Sequence, residues 1–457
     1  MITIITSSEI NYYALETLVD FTGIVPQSSI NFCTGDRVSY IQSGKLNVVF
    51  NQVKKSNKFP KIIDCEIKGN YLYIHTDIIG WIIESLTRSE ESRVTNNNGR
   101  TIPMEESFAY KQGIHQKPYL DQIIHDFQVQ FISFLDANKV PWEQIHPSTN
   151  PILSLTHDVD SIQAKSVFRY IYWMIQGITC LNIKKIKIII DRIKDINNLD
   201  SDPHFSFDIY KNIEGKFGYK STFYLLSLAH YLGREGRRYT LKNKKLSDKV
   251  RDLVQNGWEI GLHPSRVTHL SQKMLKKEVS RFNKAFHYIG NSIGVRNHYL
   301  KAIFPETWRL QELLGFKYDS SLGWAKSPGF RAGTAKPFRP FDIKDNRFLN
   351  VWELPLIVMD GAIQGSSSEI TDQIIKIAEE SFQNYAPLTL LWHSDRISNR
   401  DYPEHSAAYQ KLLKYFKDRN CIGIPATEVI DLYENYYKTM ASHRRRINEP
   451  EIKFQND

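Results

Sequence analysis

The chain has four cysteines in 457 residues, Cys33, Cys65, Cys180 and Cys421, and no two of them are close in sequence. Without a CxxC pair, neither a disulfide framework nor a cysteine zinc site is expected, and reduced thiols in a cytoplasmic protein are the simplest account. No stretch of about 18 uninterrupted apolar residues exists, so no membrane-spanning helix is expected. The opening MITIITSSEINYY lacks the basic-then-apolar order of a secretory signal, and Glu9 interrupts it early. Neither a phosphate-cradling glycine loop nor a Gly-x-Ser-x-Gly elbow is present. The net charge of +9 suits an anionic partner or simply a basic surface. With no basic motif carrying interleaved aromatics, no nucleic-acid module is expected.

What is present is ample apolar material, 41% hydrophobic and 12% aromatic, enough for a folded globular protein. At this length two domains are comfortable. Residues 1–147 read as a small α/β unit. KLNVVF (45–50) and NYLYIH (70–75) are strand-like, Thr76 or Asp77 can cap a helix through IIGWIIESL, and 119–137 keeps helical spacing. TRSEESRVTNNNGRT (87–101) reads as a surface loop. Three prolines in VPWEQIHPSTNP (140–151) mark an extended linker and set the boundary near residue 148.

From 148 to 435 the pattern alternates strand and helix. Apolar runs stand at PILSLT, KSTFYLLSL, GWEIGL, NSIGV, FLNVWELPLIV and PLTLLW, and amphipathic helices lie between several of them. That alternation predicts a parallel sheet, open or closed into a barrel. Residues 161–203 break the rhythm with an apolar, aromatic stretch and then KKIKIIIDRIKDINN, which predicts a basic helical insertion. Such a segment can pack on the core, or its 161–200 portion can rest on an anionic membrane surface. The tail 436–457 is basic and expected to be disordered.

The strand ends carry the chemistry. LSLT runs into His157-Asp158-Val159-Asp160, EIGL into His263-Pro264-Ser265, IGV into Arg296-Asn297-His298-Tyr299, and LTLLW into His393-Ser394-Asp395. In parallel α/β barrels the C-terminal strand ends converge on one face. Four buried ionisable clusters would otherwise each need a separate partner. Aspartate with histidine is a ligand set for a zinc-type divalent metal, a second carboxylate can take a proton from water, and a histidine can protonate a leaving group. An arginine can hold the base. The inventory suits metal-assisted hydrolysis of an amide or ester.

On these motifs the segment from about 150 to 435 resembles the polysaccharide deacetylase family (carbohydrate esterase family 4, the NodB-homology domain). The resemblance implies a distorted (β/α) barrel of about seven strands and removal of acetyl groups from sugars with a divalent metal, zinc being expected. Thr156-His157-Asp158-Val159-Asp160 resembles the first family motif, which makes Asp158 the general base and Asp160 a metal ligand. Glu259-Ile260-Gly261-Leu262-His263 resembles the second, which makes His263 a ligand. Arg296-Asn297-His298-Tyr299 resembles the third, with Arg296 orienting the base and the Tyr299 N–H facing the oxyanion. Leu390-Leu391-Trp392-His393 resembles the last, with His393 as general acid. Where the family's second metal histidine would stand, this chain has Val267, so the third ligand falls to His269 or His298. His157, Ser265, Trp324 and Arg331 are the expected substrate contacts, the last two within later barrel segments. Residues 1–145, with LTRSEES, resemble the amino-terminal module of Bacteroidetes-like members.

The resulting expectation is a cytoplasmic deacetylase, membrane-associated if 161–200 serves as a contact, acting on an N-acetylated, nucleotide-linked or lipid-linked sugar precursor of a surface polysaccharide. A metal-free glycan-binding or scaffolding barrel, and a hydrolase of another small amide or cyclic imide, are the alternatives.

Overall fold

The computed structural model describes residues 1–6, 8–35, 44–51, 58–95, 102–163, 199, 202–227, 239–290 and 293–447. Apart from 161–163, 199, 202 and 203, the expected basic insertion lies outside the described residues, as does the chain from 448 onward. No helix among the described residues is long and apolar enough to cross a membrane.

From Ile152 onward a nine-stranded sheet forms, and every printed pairing in it is parallel. Its order is Val358–Met359, Leu388–Leu391, Ile152–Val159, Thr222–Leu226, Glu259–His263, Gly294–Val295, Tyr318–Asp319 and Trp352–Glu353. Ile422–Gly423 joins beside Ile152–Val159. The strand Ile152–Val159 is buried along its whole length, as expected where helices cover a parallel sheet. Each helix has its own reason to start. Ser271 caps Gln272–Ala285 by accepting from the Met274 N–H, and Ser366 forms a capping box with Glu369 at the head of Ser367–Phe382.

FLNVWELPLIV is not one strand but supplies two of the nine, and Tyr318–Asp319 and Ile422–Gly423 are further short members of the sheet. Trp352–Glu353 pairs with Tyr318–Asp319 at one edge of the sheet, whereas Val358–Met359 pairs with Leu388–Leu391 at the other. The four residues 354–357 between them let a single apolar run reach both edges. Leu354 N donates to Asp319 O, Leu356 N to Leu322 O, and Ile357 N to Thr389 O.

The amino-terminal part forms a six-stranded sheet, in the order Arg444–Ile447, Ile2–Ile5, Ile30–Thr34, Leu46–Phe50, Tyr71–Ile74, Cys65–Lys68. Helices Glu9–Thr22, Ile78–Thr87 and Tyr119–Ala137 pack against it, and Asp77 is the residue that caps the second, accepting from Gly80 N at 2.8 Å. Its core continues without a break into the larger sheet, through Tyr224, Trp308, Tyr318 and Val351.

Two expectations are corrected here. The tail is ordered through residue 447: helix Ala426–Ser442 buries Tyr433, Tyr436 and Met440, and Arg444–Ile447 pairs with Ile2–Ile5. Arg444 reaches Glu16 and Asp20, and Arg446 reaches Glu9, so these basic residues meet acids of the first helix rather than solvent. The supposed surface loop 87–101 instead begins with helix Ser89–Thr95, and Arg88 and Glu91 are buried.

Glu91 explains that burial. It accepts from Arg88 Nη2 at 2.6 Å and from Arg331 Nε and Nη2 at 2.9 and 2.6 Å. Burial opposes its ionisation, but the two guanidinium groups hold its carboxyl below the usual range. Arg331 therefore joins the amino-terminal part to the sheet and is corrected from substrate contact to structural link. Trp324, whose ring lies 4.8 Å from the Arg331 guanidinium, is buried with it. Replacing Arg331 with Ala should lower unfolding free energy by about 1–3 kcal/mol, because Glu91 Oε2 loses its partner while Arg88 still holds Oε1. Urea denaturation checks this; a loss below about 0.5 kcal/mol would rule out Arg331 as a structural link.

Candidate metal centre

Side chains on a strand alternate faces, so Thr156 and Asp158 share one side of Ile152–Val159 and His157 the other. Asp160, just past the strand end, keeps the inner side. There Asp160 Oδ1 lies 3.3 Å from His263 Nε2 and 3.3 Å from His298 Nε2. Ligand atoms of these three residues all fall within 4.8 Å of one another. Bond lengths near 2.1 Å to nitrogen and oxygen put the corners of a tetrahedral zinc site about 3.4 Å apart, so the two 3.3 Å spacings fit a shared ion.

Each ligand is held from behind. His263 Nδ1 lies 2.6 Å from the Arg296 carbonyl oxygen and donates to it, which leaves Nε2 as the lone-pair nitrogen; that buried atom makes no hydrogen bond among the described residues. His298 sits in a loop laced to its neighbours, with His298 N donating to Pro264 O and Asn297 N to Ser321 Oγ. Burial works against an ionised Asp160, but the imidazoles of His263 and His298 outweigh it and hold the carboxyl well below its ordinary range.

Asp158 lies beside the three. Its Oδ2 is 3.8 Å from His263 Nε2, and its Oδ1 accepts from Arg296 Nη1 at 3.2 Å. Arg296 is fully buried and spends its other donors on Thr156 Oγ1, Ser320 O and Ser320 Oγ. Its Cζ also lies 4.5 Å from the centre of the Tyr224 ring. Nothing in that arrangement lets the guanidinium swing, so the carboxylate is fixed too.

His393 stands at the end of Leu388–Leu391. Its N–H donates to Asp360 Oδ2 and its Nδ1 to Asp360 Oδ1, both at 2.7 Å. Burial disfavours the imidazolium, yet Asp360, with smaller effects from Asp160 and Asp158, raises its pKa to about 10. Asp360 was not singled out from sequence. The rule used for the other strand ends would have found it, because it follows Val358–Met359 directly.

Tyr299 and Leu300 both lie in the left-handed region, at φ 62° and 51°. The Tyr299 ring stacks on His298 at 4.0 Å and remains 58% exposed, so it borders the centre on the solvent side.

Three expected residues go elsewhere. His157 points outward, with Nδ1 on Trp392 O and Nε2 on Glu214, both at 2.8 Å, and is wholly buried. Ser265 is committed to Glu278, through Oγ at 2.5 Å and N at 3.0 Å. His269 turns its Nδ1 to Arg266 O, and desolvation drives its pKa to about 4. Of the two candidates for a third ligand, the fold brings His298 to the centre and not His269. Val267, at the position of the family's second histidine, is exposed.

No protein-family model matches the chain, and no curated protein matches it. Among solved structures, it is similar to a protein provisionally assigned as a polysaccharide deacetylase from Mycobacterium smegmatis, at 12% identity and TM-score 0.41, over 63% of this chain and 91% of that one. It is also similar to the peptidoglycan deacetylase PdaC from Bacillus subtilis, at 13% identity and TM-score 0.32, over 65% and 98%. Likeness this loose carries no chemistry, which rests on the side chains above.

Zinc titration monitored by competition with a chromophoric chelator should give one site in the wild type. His263→Ala and His298→Ala should each lose it, and His269→Ala should keep it. Retention in His298→Ala would remove that residue from the ligand set.

Proposed function

We propose that the chain is a metal-dependent hydrolase that removes an acetyl group, most simply an N-acetyl group, from a sugar or glycan precursor. The observation that carries this reading is the company kept by the Asp160–His263–His298 trio: a fixed carboxylate, Asp158, on one flank and a carboxylate-paired histidine, His393, close enough to feel the charge of both aspartates. A pocket that only held glycan would have no use for a base, its orienting arginine and an acid together.

The donor set suits zinc, and a bound zinc ion would supply Lewis acidity and a lowered pKa for water. Asp158 Oδ2 is the atom left to take a proton, because Oδ1 is occupied by Arg296. His393, protonated through Asp360, would donate from its other ring nitrogen to the departing amine. The Tyr299 N–H is offered as the oxyanion donor. The narrower reading, a nucleotide-linked or lipid-linked precursor of a surface polysaccharide, rests on the expected cytoplasmic location and not on the geometry of the site.

Asp158→Asn should lower kcat by at least about a hundredfold while leaving zinc stoichiometry at one, as expected for loss of a general base. Acetate release from N-acetylated oligosaccharides measures this, and near-normal turnover in the variant would sink the base assignment. Asp360→Asn removes the main influence that raises the His393 pKa. The imidazolium then deprotonates at lower pH, so the alkaline limb of the kcat profile should move down. An unmoved limb would exclude the His393–Asp360 pair as the acid.

A further inference from the structure

Two loops rim the metal centre on the side of strand Glu259–His263. Loop 264–271 follows His263, and the turn at Tyr299 follows His298. They are tied together, with His298 N donating to Pro264 O at 3.0 Å and Thr307 Oγ1 to His269 O at 3.0 Å. Both carry apolar side chains in the open: Val267 is 39% exposed, Leu270 46% and Tyr299 58%. We propose that this flank of the mouth docks on an anionic phospholipid surface, with Val267, Leu270 and Tyr299 entering the interface and the lysines beside them meeting lipid phosphates. The docking stands on this surface and not on the deacetylase reading. Its consequence, that substrate reaches the centre from the lipid side, rests on that reading.

Charge is what complements the apolar tips. Residues 264–277 include Arg266, Lys273, Lys276 and Lys277 and no acid. The next acid, Glu278, is buried and accepts from Ser265 N and Oγ, so it faces inward. Lys273, Lys276 and Lys277 are exposed and make no ion pair or hydrogen bond among the described residues. Helix Gln272–Ala285 rises about 1.5 Å per residue, so Lys277 stands about 8 Å along the axis from the helix start. That is about one screening length at physiological salt, so all three lysines feel a charged surface that touches the rim.

The helix starts show that this charge is local. In a parallel sheet each connecting helix begins beside the strand ends that carry the centre. Asp208, Glu306, Glu369 and Glu404 stand in the first turns of Phe207–Gly215, Glu306–Leu313, Ser367–Phe382 and Pro403–Asp418, where an acid complements the positive helix end. Gln272–Ala285 and Lys244–Gln255 have no acid there and carry Lys273, Lys244 and Lys245 instead. They follow the paired strands Glu259–His263 and Thr222–Leu226, so the two basic ends lie on one flank. Helix stability disfavours lysine at that end, which points to a use outside the helix. A nucleic acid would reward the lysines but not Val267 and Leu270. A bilayer interface rewards both.

Sedimentation of the full chain with extruded vesicles tests the docking, phosphatidylcholine alone against phosphatidylcholine mixed with phosphatidylglycerol. The wild type should bind the anionic vesicles, release them as salt rises, and bind the neutral ones far less. Lys273→Gln, Lys276→Gln and Lys277→Gln together should weaken partition roughly a hundredfold, at roughly fivefold per lysine. Val267→Ser with Leu270→Ser leaves the charge alone and should weaken it roughly tenfold. Asp158→Asn should bind as the wild type does, and circular dichroism checks the fold of each variant. No binding to anionic vesicles, equal binding to neutral ones, binding unchanged by either set of substitutions, or preference for a short DNA duplex over the vesicles would each overturn the proposal. Vesicle binding with these losses, in a chain that releases no acetate from any sugar, would support the docking and remove the hydrolase reading.

Discussion

At residue 160 an ionised carboxylate faces two imidazole nitrogens at 3.3 Å in a largely buried setting. His263 gives its Nδ1 proton to a backbone carbonyl, so in the neutral form its Nε2 presents a lone pair to Asp160 Oδ1. Acceptor against acceptor at that distance is repulsive, and only a proton or a metal ion between them reverses the sign. Arg296 cannot relieve it, being committed to Asp158, Thr156 and Ser320. The rest of the centre follows from this demand for a cation. The loop of His298 is pinned to its neighbours, and the second carboxylate is kept apart on its own arginine.

The same strand serves two layers. Its inner side chains make the centre, while His157 on the outer side completes a buried network around Glu214, which also accepts from Ser221, Tyr409 and Trp258. One imidazole set between a carboxylate and the Trp392 carbonyl thereby ties Ile152–Val159 to the segment leading into His393. Packing outside the sheet and geometry inside it are coupled through adjacent residues.

Much of the centre was legible because polar residues at the ends of buried apolar runs are conspicuous, and the two-residue spacing of Asp158 and Asp160 puts them on one face. What was not legible depended on long-range contacts. Nothing local separates His269 from His298 as a ligand; the choice is made by hydrogen bonds from the His298 loop to Pro264 and Ser321. Glu91 read as part of a polar surface loop and Arg331 as a substrate contact, but mutual charge neutralisation places both in the interior. FLNVWELPLIV read as one strand because its apolarity is continuous, whereas pairing at two different sheet edges decides otherwise. The basic run at Arg444–Arg446 looked like a solvated tail because its acidic partners lie more than 400 positions away.

That last pairing has a bearing on the order in which the molecule is made. Residues 2–5 leave the ribosome early, yet the parallel neighbour at one edge of their sheet, Arg444–Ile447, is synthesised after the whole of the larger sheet. During translation the first sheet must wait with an open edge, exposing unpaired backbone groups of the kind that recruit foreign strands. Its closure is a late event that requires the intervening chain to have been made. The clasp between the two distant segments thus makes closure of the amino-terminal sheet wait for synthesis through residue 447, and a nascent polypeptide stalled before residue 444 would carry that edge unprotected.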